Sequence, residues 1–237
     1  MRKIVLNIPH SSVNGIFDPE IGKWPRNPFF VNDCIRRWTD WHSDMLFASD
    51  NPNVSRVVFP LSRFVCDVER LNDDPLEKDG QGILYTSFSN VIRGELTNNA
   101  RWKLMSLYDE HRYALASNIP VDGSGVLIDC HSFPSDMADN DICVGFNDDD
   151  TYDPDVVKCV VDGFVESGYS VKLNEPYANS LSPNFGFKYS SVMIEVNKRV
   201  YMDETTMLLN SDSIKWMRWF GCLERIYESI IALDGRD

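Results

Sequence analysis

The sequence has no CxxC pair, and its six cysteines are scattered along the 237 residues. Several of them lie inside apolar runs, where a free thiol behaves as a small hydrophobe. We therefore expect neither a zinc ribbon nor a disulfide scaffold, and the cysteine pattern predicts a reducing compartment.

Long apolar runs are also missing. No stretch approaches the roughly 20 residues that a membrane-spanning helix requires, and the apolar part of residues 1–12 is too short for a signal peptide. These absences predict a cytoplasmic protein that does not enter a membrane.

Basic residues are scarce: 23 Lys and Arg stand against 36 Asp and Glu, for a net charge of −13. Such a charge repels nucleic acid and anionic membrane surfaces, so we expect neither as a partner. It does not exclude an anionic small-molecule substrate, because a few arginines can reverse the field inside a cleft. The composition leaves the oligomeric state open.

The apolar runs that are present are short and predict an α/β fold. Four of them are rich in Val, Ile and Leu, as strands covered on both faces are: residues 3–8, 55–60, 125–130 and 190–196. Amphipathic stretches lie between and after them, at residues 98–118, 153–168 and 213–233. The alternation predicts one domain over residues 1–237, with a mixed, mostly parallel central sheet and helices on both faces. We interpret the turn-rich stretch 71–100 as an excursion near a site.

The chain has only four histidines, and two of them follow or end a predicted strand. His10 follows the first strand, Asp129 and His131 end the third, and Glu195 lies in the last. Ligands of open α/β sheets bind at the carboxyl ends of the strands. Two imidazoles with a carboxylate ligand suit a catalytic zinc site, and a further glutamate can take the proton of the water.

Each of these residues also has a simpler interpretation. His10 follows a proline and could be a turn or capping residue, and His131 could be a strand-end histidine paired with Asp129. Such a pair is also the usual outer partner of a metal ligand. Glu195 is harder to explain as structural, because burying a carboxylate among apolar neighbours is costly. We interpret His111, on an amphipathic stretch, as structural.

A second group of charged residues lies in the segment "LSRFVCDVERLNDD". Arg63, Asp67 and Arg70 alternate there with apolar residues. Two guanidinium groups organised by one carboxylate could bind a substrate carboxylate bidentately. A surface salt-bridge network is an equally good interpretation of this segment alone.

Six segments together resemble the N-formylglutamate amidohydrolases, in the same order and over nearly the whole chain. They are "PHSS", "WTDWHSDMLF", "SRFVCDVERLNDD", "DEHRYAL", "LIDCHS" and "VMIEVNKRVYM". That family is similar to the zinc carboxypeptidases and aspartoacylase. The resemblance implies a carboxypeptidase-like fold and one zinc ion.

The resemblance also implies a role for individual residues. His10 and His131 would bind the zinc, Glu195 would be the general base, and Arg70 would hold a substrate carboxylate. Apart from the resemblance, we expect Arg63, the other arginine of its segment, to bind substrate and to help stabilise the oxyanion.

The third zinc ligand does not follow from the motifs, because Val13 occupies the position of the expected glutamate. We expect Asp40 there, with His42 as its competitor. Asp129, Asp67 and, if it is not a ligand, His42 would orient the ligands from outside the metal shell.

The expected function is zinc-dependent hydrolysis of an N-acyl amino acid, with N-formyl amino acids among the candidates. Glu69 stands where the family has asparagine, and "PYANSLSPNFG" lacks the paired glycines of the family's substrate loop. Both departures make formylglutamate itself a weaker expectation. Two alternatives stay open: a peptidase-like zinc hydrolase of another amide, and a binding protein that retains the cleft without catalysis. No GxSxG segment supports a serine hydrolase.

Overall fold

The computed structural model describes residues 1–210 and 212–233. It is an α/β fold built around a six-stranded sheet. The strands are β1 (Lys3–Ile8), β2 (Val54–Val58), β3 (Ser87–Phe88), β4 (Val91–Ile92), β5 (Gly125–Phe133), β6 (Ile142–Gly145), β7 (Val171–Leu173), β8 (Ser190–Asn197), β9 (Met202–Asp203) and β10 (Leu208–Leu209). The helices are α1 (Arg36–Trp38), α2 (Ser43–Leu46), α3 (Asn98–Asn118), α4 (Pro154–Glu166) and α5 (Ser213–Ala232). A π-helical turn precedes α1 at Phe30–Ile35, and 3-10 turns lie at Pro75–Asp79 and Lys198–Val200.

The chain divides into two compact units. One, here called the sheet unit, comprises residues 1–8, 42–57 and those from 115 onward. The other, here called the aromatic unit, comprises residues 9–41 and 58–114. Within the described residues no helix has the length and apolarity that crossing a bilayer requires.

The large sheet has the strand order β2-β1-β5-β8-β6-β7. The pairs β1–β5, β5–β8 and β6–β7 are parallel, and β6 is antiparallel to β8. All nine residues of β5 and seven of the eight in β8 are buried, as expected for strands covered on both faces. The predicted mixed, mostly parallel sheet is confirmed. Strands β6 and β7 were not predicted, because they are too short to give a clear apolar pattern.

Helix α4 begins and ends where its sequence signals predict. The Asp153 carboxylate accepts hydrogen bonds from the backbone N–H groups of Asp155 (3.0 Å) and Val156 (3.3 Å). Pro154 occupies the first turn, where its missing N–H costs nothing. Gly168 lies just beyond the helix at φ +79°, a left-handed conformation that terminates helices.

The aromatic unit contains little regular structure, and its core consists largely of rings. Trp24 stacks on Phe30 with centroids 4.5 Å apart, and Phe64 meets the edge of Phe88 at 5.1 Å. The buried Arg93 guanidinium donates to the backbone carbonyls of four residues, Ile21, Gly22, Val65 and Tyr85. Backbone groups that no helix or sheet pairs are thus satisfied by one side chain.

Candidate active site

In the sheet unit, a row of polar side chains crosses one face of the sheet. Asn7 on β1 is in register with Asp129 on β5, and His131 on β5 is in register with Glu195 on β8. Side chains in register share a face, and neighbouring strands lie about 4.8 Å apart. The register therefore places His131 and Glu195 side by side.

Asp129 is buried and holds His131 in one orientation. Its Oδ1 accepts a hydrogen bond from Asn7 Nδ2 at 2.8 Å and lies 3.1 Å from His131 Nε2. Its Oδ2 accepts from the backbone N–H of Leu181 at 3.1 Å. Because an ionised carboxylate only accepts hydrogen bonds, the tautomer of His131 with its proton on Nε2 suits this contact. The structure brings Asp129 and His131 together, and their role at a metal stays a prediction.

Glu195 is only 7% exposed, as its apolar flanks predict. On its other side, β6 places Cys143 in register with it. Burial raises the pKa of the Cys143 thiol, and the nearby Glu195 carboxylate adds to this increase. Cys143 is therefore protonated at neutral pH and is a poor nucleophile. Phe133 and Met193 pack with it in an apolar cluster.

In the aromatic unit, His10 lies between two carboxylates. His10 Nε2 donates to Asp67 Oδ1 at 2.7 Å, and His10 Nδ1 lies 3.7 Å from Asp40 Oδ2. All three side chains are buried. The backbone N–H of Asp40 also donates to the His10 carbonyl at 3.0 Å, which ties the two segments together. Like His131, His10 uses Nε2 for a carboxylate and presents Nδ1 elsewhere.

Asp67 is the centre of this unit's polar cluster. Its Oδ2 accepts from Tyr85 Oη at 2.6 Å and from Arg63 Nη2 at 3.2 Å, and Arg70 Nε lies 3.6 Å away. Burial alone would raise the pKa of Asp67, but His10 and the two guanidinium groups outweigh it and hold the pKa well below its usual value. Because Asp67 is completely buried, the ion pairs that it makes with Arg63 and Arg70 belong to an internal network and not to a surface one.

Arg70 is fixed from several directions. Its guanidinium lies between Asp67 and Asp74, with Arg70 Nη1 3.6 Å from Asp74 Oδ2. Its backbone carbonyl accepts from Tyr108 Oη at 2.8 Å and from Arg112 Nη2 at 3.1 Å. Asp74 therefore offers a carboxylate at the same guanidinium that was predicted to hold a substrate carboxylate.

The other two histidines have structural surroundings. His42 has a left-handed backbone (φ 63°) and its Nε2 lies 2.9 Å from the Met207 carbonyl. His111 is buried and meets the edge of the Phe59 ring at 5.4 Å. Burial lowers the pKa of His111 to about 4, so this ring is neutral at pH 7. The expectation that His111 is structural agrees with these surroundings.

The structure thus gathers the predicted residues into two groups. His10, Asp40, Arg63, Asp67 and Arg70 belong to the aromatic unit, and Asp129, His131 and Glu195, with His42, belong to the sheet unit. A zinc site that draws on both groups stays a prediction. Asn7, Tyr85 and Arg93 were not among the predicted site residues. Tyr85 and Arg93 had a signal, since both lie in the turn-rich stretch 71–100 interpreted as an excursion near a site, whereas Asn7 had none.

Comparison with known proteins agrees with the motif resemblance. A model of the N-formylglutamate amidohydrolase family matches residues 2–202. A search of curated proteins found no match. The structure of N-formylglutamate amidohydrolase from Ralstonia eutropha JMP134 is 19% identical at a TM-score of 0.73, with 97% of this chain and 92% of that one covered. A gene product of Agrobacterium tumefaciens is 14% identical at a TM-score of 0.60, with 96% and 90% covered. At such identities the likeness concerns the fold.

Proposed function

Since the chain belongs to the N-formylglutamate amidohydrolase family, we propose that it hydrolyses the amide bond of a small N-acyl amino acid with the help of one zinc ion. Amide hydrolysis is the activity of the family as a whole. The zinc dependence, the residues and the choice of substrate are the parts that we add.

The observation that carries the proposal is the matched setting of two buried histidines. His10 pairs through Nε2 with Asp67, and His131 pairs through Nε2 with Asp129. A histidine that ligates a metal almost always donates its other N–H to a carboxylate, a carbonyl or water. Two such rings in separate parts of the chain are more than a strand-end or turn histidine requires.

The donor set fits zinc. His10, Asp40 and His131 are buried and would offer two imidazole nitrogens and one carboxylate oxygen, the composition of many catalytic zinc sites. Two ligand atoms about 2.0–2.2 Å from a tetrahedral ion lie about 3.3–3.6 Å apart, close to the 3.7 Å between His10 Nδ1 and Asp40 Oδ2. We favour Asp40 over His42 as the third ligand because Asp40 Oδ2 already lies beside His10 Nδ1.

Zinc, when bound, would lower the pKa of a coordinated water to about 7 and polarise the acyl carbonyl. The Glu195 carboxylate accepts the proton of the water as its oxygen attacks the acyl carbon. Glu195 then passes that proton to the nitrogen of the leaving amine as the C–N bond breaks. Arg63 would donate to the oxyanion, because its guanidinium is oriented by Asp67 and Tyr85 yet is still 17% exposed.

The surroundings of Glu195 and Arg70 favour a substrate other than formylglutamate. Cys143 and Met193 form an apolar surface beside Glu195, and Asp74 already neutralises part of the Arg70 charge. Glu69 adds a negative charge next to Arg70 in the chain. A substrate with one carboxylate and an apolar side chain suits these groups better than a dianionic one. The same observations favour, as a second candidate, a zinc hydrolase of a different amide.

Metal analysis of the purified protein tests the core of the proposal. We expect one zinc per chain, lost in His10→Ala and in His131→Ala while both variants stay folded by circular dichroism. Asp40→Ala should weaken zinc binding more than the matched control His42→Ala. A His131→Ala protein that retained stoichiometric zinc would refute the ligand set, and the reverse order at residues 40 and 42 would make His42 the ligand.

A panel of N-formyl amino acids tests the substrate. We expect kcat/KM for formylmethionine and formylleucine to exceed that for formylglutamate. A clear preference for formylglutamate would contradict the substrate bias and leave the hydrolase proposal intact. A zinc-loaded protein that cleaved no N-acyl amino acid would instead favour a different amide or a binding protein without catalysis.

A further inference from the structure

Tyr85 belongs to none of the motifs, yet its hydroxyl lies at the centre of the Asp67 cluster. The side chain is 1% exposed. Tyr85 Oη donates to Asp67 Oδ2 at 2.6 Å and accepts from Arg63 Nη2 at 3.3 Å. The hydroxyl therefore donates its one hydrogen bond to the carboxylate and accepts one from the guanidinium.

The two oxygens of Asp67 have different partners. Oδ2 faces Tyr85, Arg63 and Arg70, whereas Oδ1 accepts from His10 Nε2 at 2.7 Å and from the backbone N–H of Glu69 at 3.1 Å. The terminal torsion of an aspartate is broad and roughly two-fold. Partners on both oxygens are needed to hold one of them towards the imidazole.

The Tyr85 ring is itself held by packing. It stacks on Phe88 at an interplanar angle of 9° and meets the edge of Phe64 at 87°. A phenol with two ring neighbours and two rotatable side-chain bonds is a rigid support, unlike the longer arginine side chains. Its bond to Asp67 is also the shortest that Oδ2 receives, at 2.6 Å against 3.2 Å for Arg63.

We propose that Tyr85 is a positioning residue that, by holding Asp67, keeps the proton of His10 on Nε2 and directs Nδ1 towards Asp40. The consequence for metal binding rests on the proposed function, but the position of the proton does not. The inference therefore has a readout in the metal-free protein, before any zinc is added.

The first experiment measures the tautomer of His10 by 15N NMR of its ring nitrogens, in metal-free protein at a pH where the ring is neutral. We expect the Nε2–H form in the wild type and a mixture of both tautomers in Tyr85→Phe, which retains the ring and loses the donor. Tyr189→Phe is the matched control: it removes another buried hydroxyl, one that donates to the Pro183 carbonyl, and should leave His10 unchanged. A pure Nε2–H signal in Tyr85→Phe would overturn the inference.

Asp67→Asn gives an independent test if Tyr85→Phe fails to fold. Two donors, Tyr85 and Arg63, face the Oδ2 position, whereas Oδ1 faces one fixed donor, the backbone N–H of Glu69. The amide oxygen should therefore stay at the Oδ2 position, and the amide NH2 should turn towards His10. The ring must then accept at Nε2, and its proton should move to Nδ1. The double variant Asp67→Asn/Tyr85→Phe leaves one fixed donor on each side, Arg63 and the Glu69 N–H, and should give a mixture of both tautomers. An Asp67→Asn protein with His10 still protonated on Nε2 would overturn the inference.

Zinc titration supplies the second readout. We expect Tyr85→Phe to weaken zinc binding by about tenfold, the lower end of the effect of losing an outer partner, and Tyr189→Phe to leave it unchanged. An unchanged zinc affinity in Tyr85→Phe would overturn the metal consequence. A wild type that binds no zinc would overturn the proposed function, while the tautomer measurement would still decide the role of Tyr85.

Discussion

The two units hold their chemically active side chains by different means. In the sheet unit, backbone register places Asn7 beside Asp129 and His131 beside Glu195. In the aromatic unit, turns and short elements carry His10 and Asp40, and a network of side-chain bonds around Asp67 supplies the order. A substitution in the sheet unit should therefore alter one functional side chain. A substitution in the network around Asp67 should change the positions of several.

We expect the largest effect at Glu195, which the register of the β-strands positions. Glu195→Gln retains the size of the side chain but cannot take the proton of the water. We expect kcat to fall by about 10²–10⁴-fold, the usual contribution of general acid–base catalysis, with little change in zinc content or substrate binding. Steady-state kinetics and metal analysis measure both, with the exposed Glu228→Gln on α5 as control. Loss of zinc would make Glu195 the carboxylate ligand, and full activity would place the base elsewhere.

Arg93→Met should destabilise the aromatic unit, because it removes the side chain that donates to backbone carbonyls there. The substitution leaves four buried carbonyls without their donor, and unpaired buried polar groups cost about 1–3 kcal/mol each before relaxation. We expect the free energy of unfolding to fall by about 3–5 kcal/mol in urea denaturation. The exposed Arg101→Met should change it by less than about 0.5 kcal/mol. A similar value for the two variants would show that Arg93 does not support this unit.

His111 should make the stability of the protein depend on pH. Its pKa is about 4 when folded and 6.5 for an exposed ring, so between these values the unfolded chain binds more protons than the folded one. The free energy of unfolding should be highest above pH 6.5 and fall by about 3 kcal/mol as the pH drops to 4. His111→Phe, which retains a ring beside Phe59, should remove this part of the slope. An unchanged slope would assign the pH dependence to other groups.

The smallest expected effect concerns substrate binding in the aromatic unit. Arg70→Lys preserves the charge but not the planar fork that binds a carboxylate bidentately. We expect a loss of roughly 1.5–3 kcal/mol in substrate binding, seen as a higher KM. The exposed Arg101→Lys is the control. Unchanged KM and kcat would remove Arg70 from the site and leave Arg63 as the remaining candidate.

The sequence by itself determined the elements whose signals are local. The runs that became β1, β5 and β8 are continuous in apolar residues, and α4 has its cap, its proline and its terminating glycine within one short segment. The six ordered motifs identified the family, because each is a short string of residues that needs no partner to be recognised. The strand-end positions of His10 and His131 could be predicted because they too depend only on neighbouring residues.

Only the tertiary structure decided which of these residues share an environment. Residue spacing does not reveal that Glu195 lies in register with His131, that β6 runs antiparallel to β8, or that His42 meets the Met207 carbonyl. The bonds around Asp67 join positions up to 57 residues apart. No periodic pattern marks Tyr85 as their support, or Arg93 as the donor to four backbone carbonyls. Apolar periodicity and capping are properties of neighbouring residues, whereas register and buried polar networks are set by the packing of distant segments.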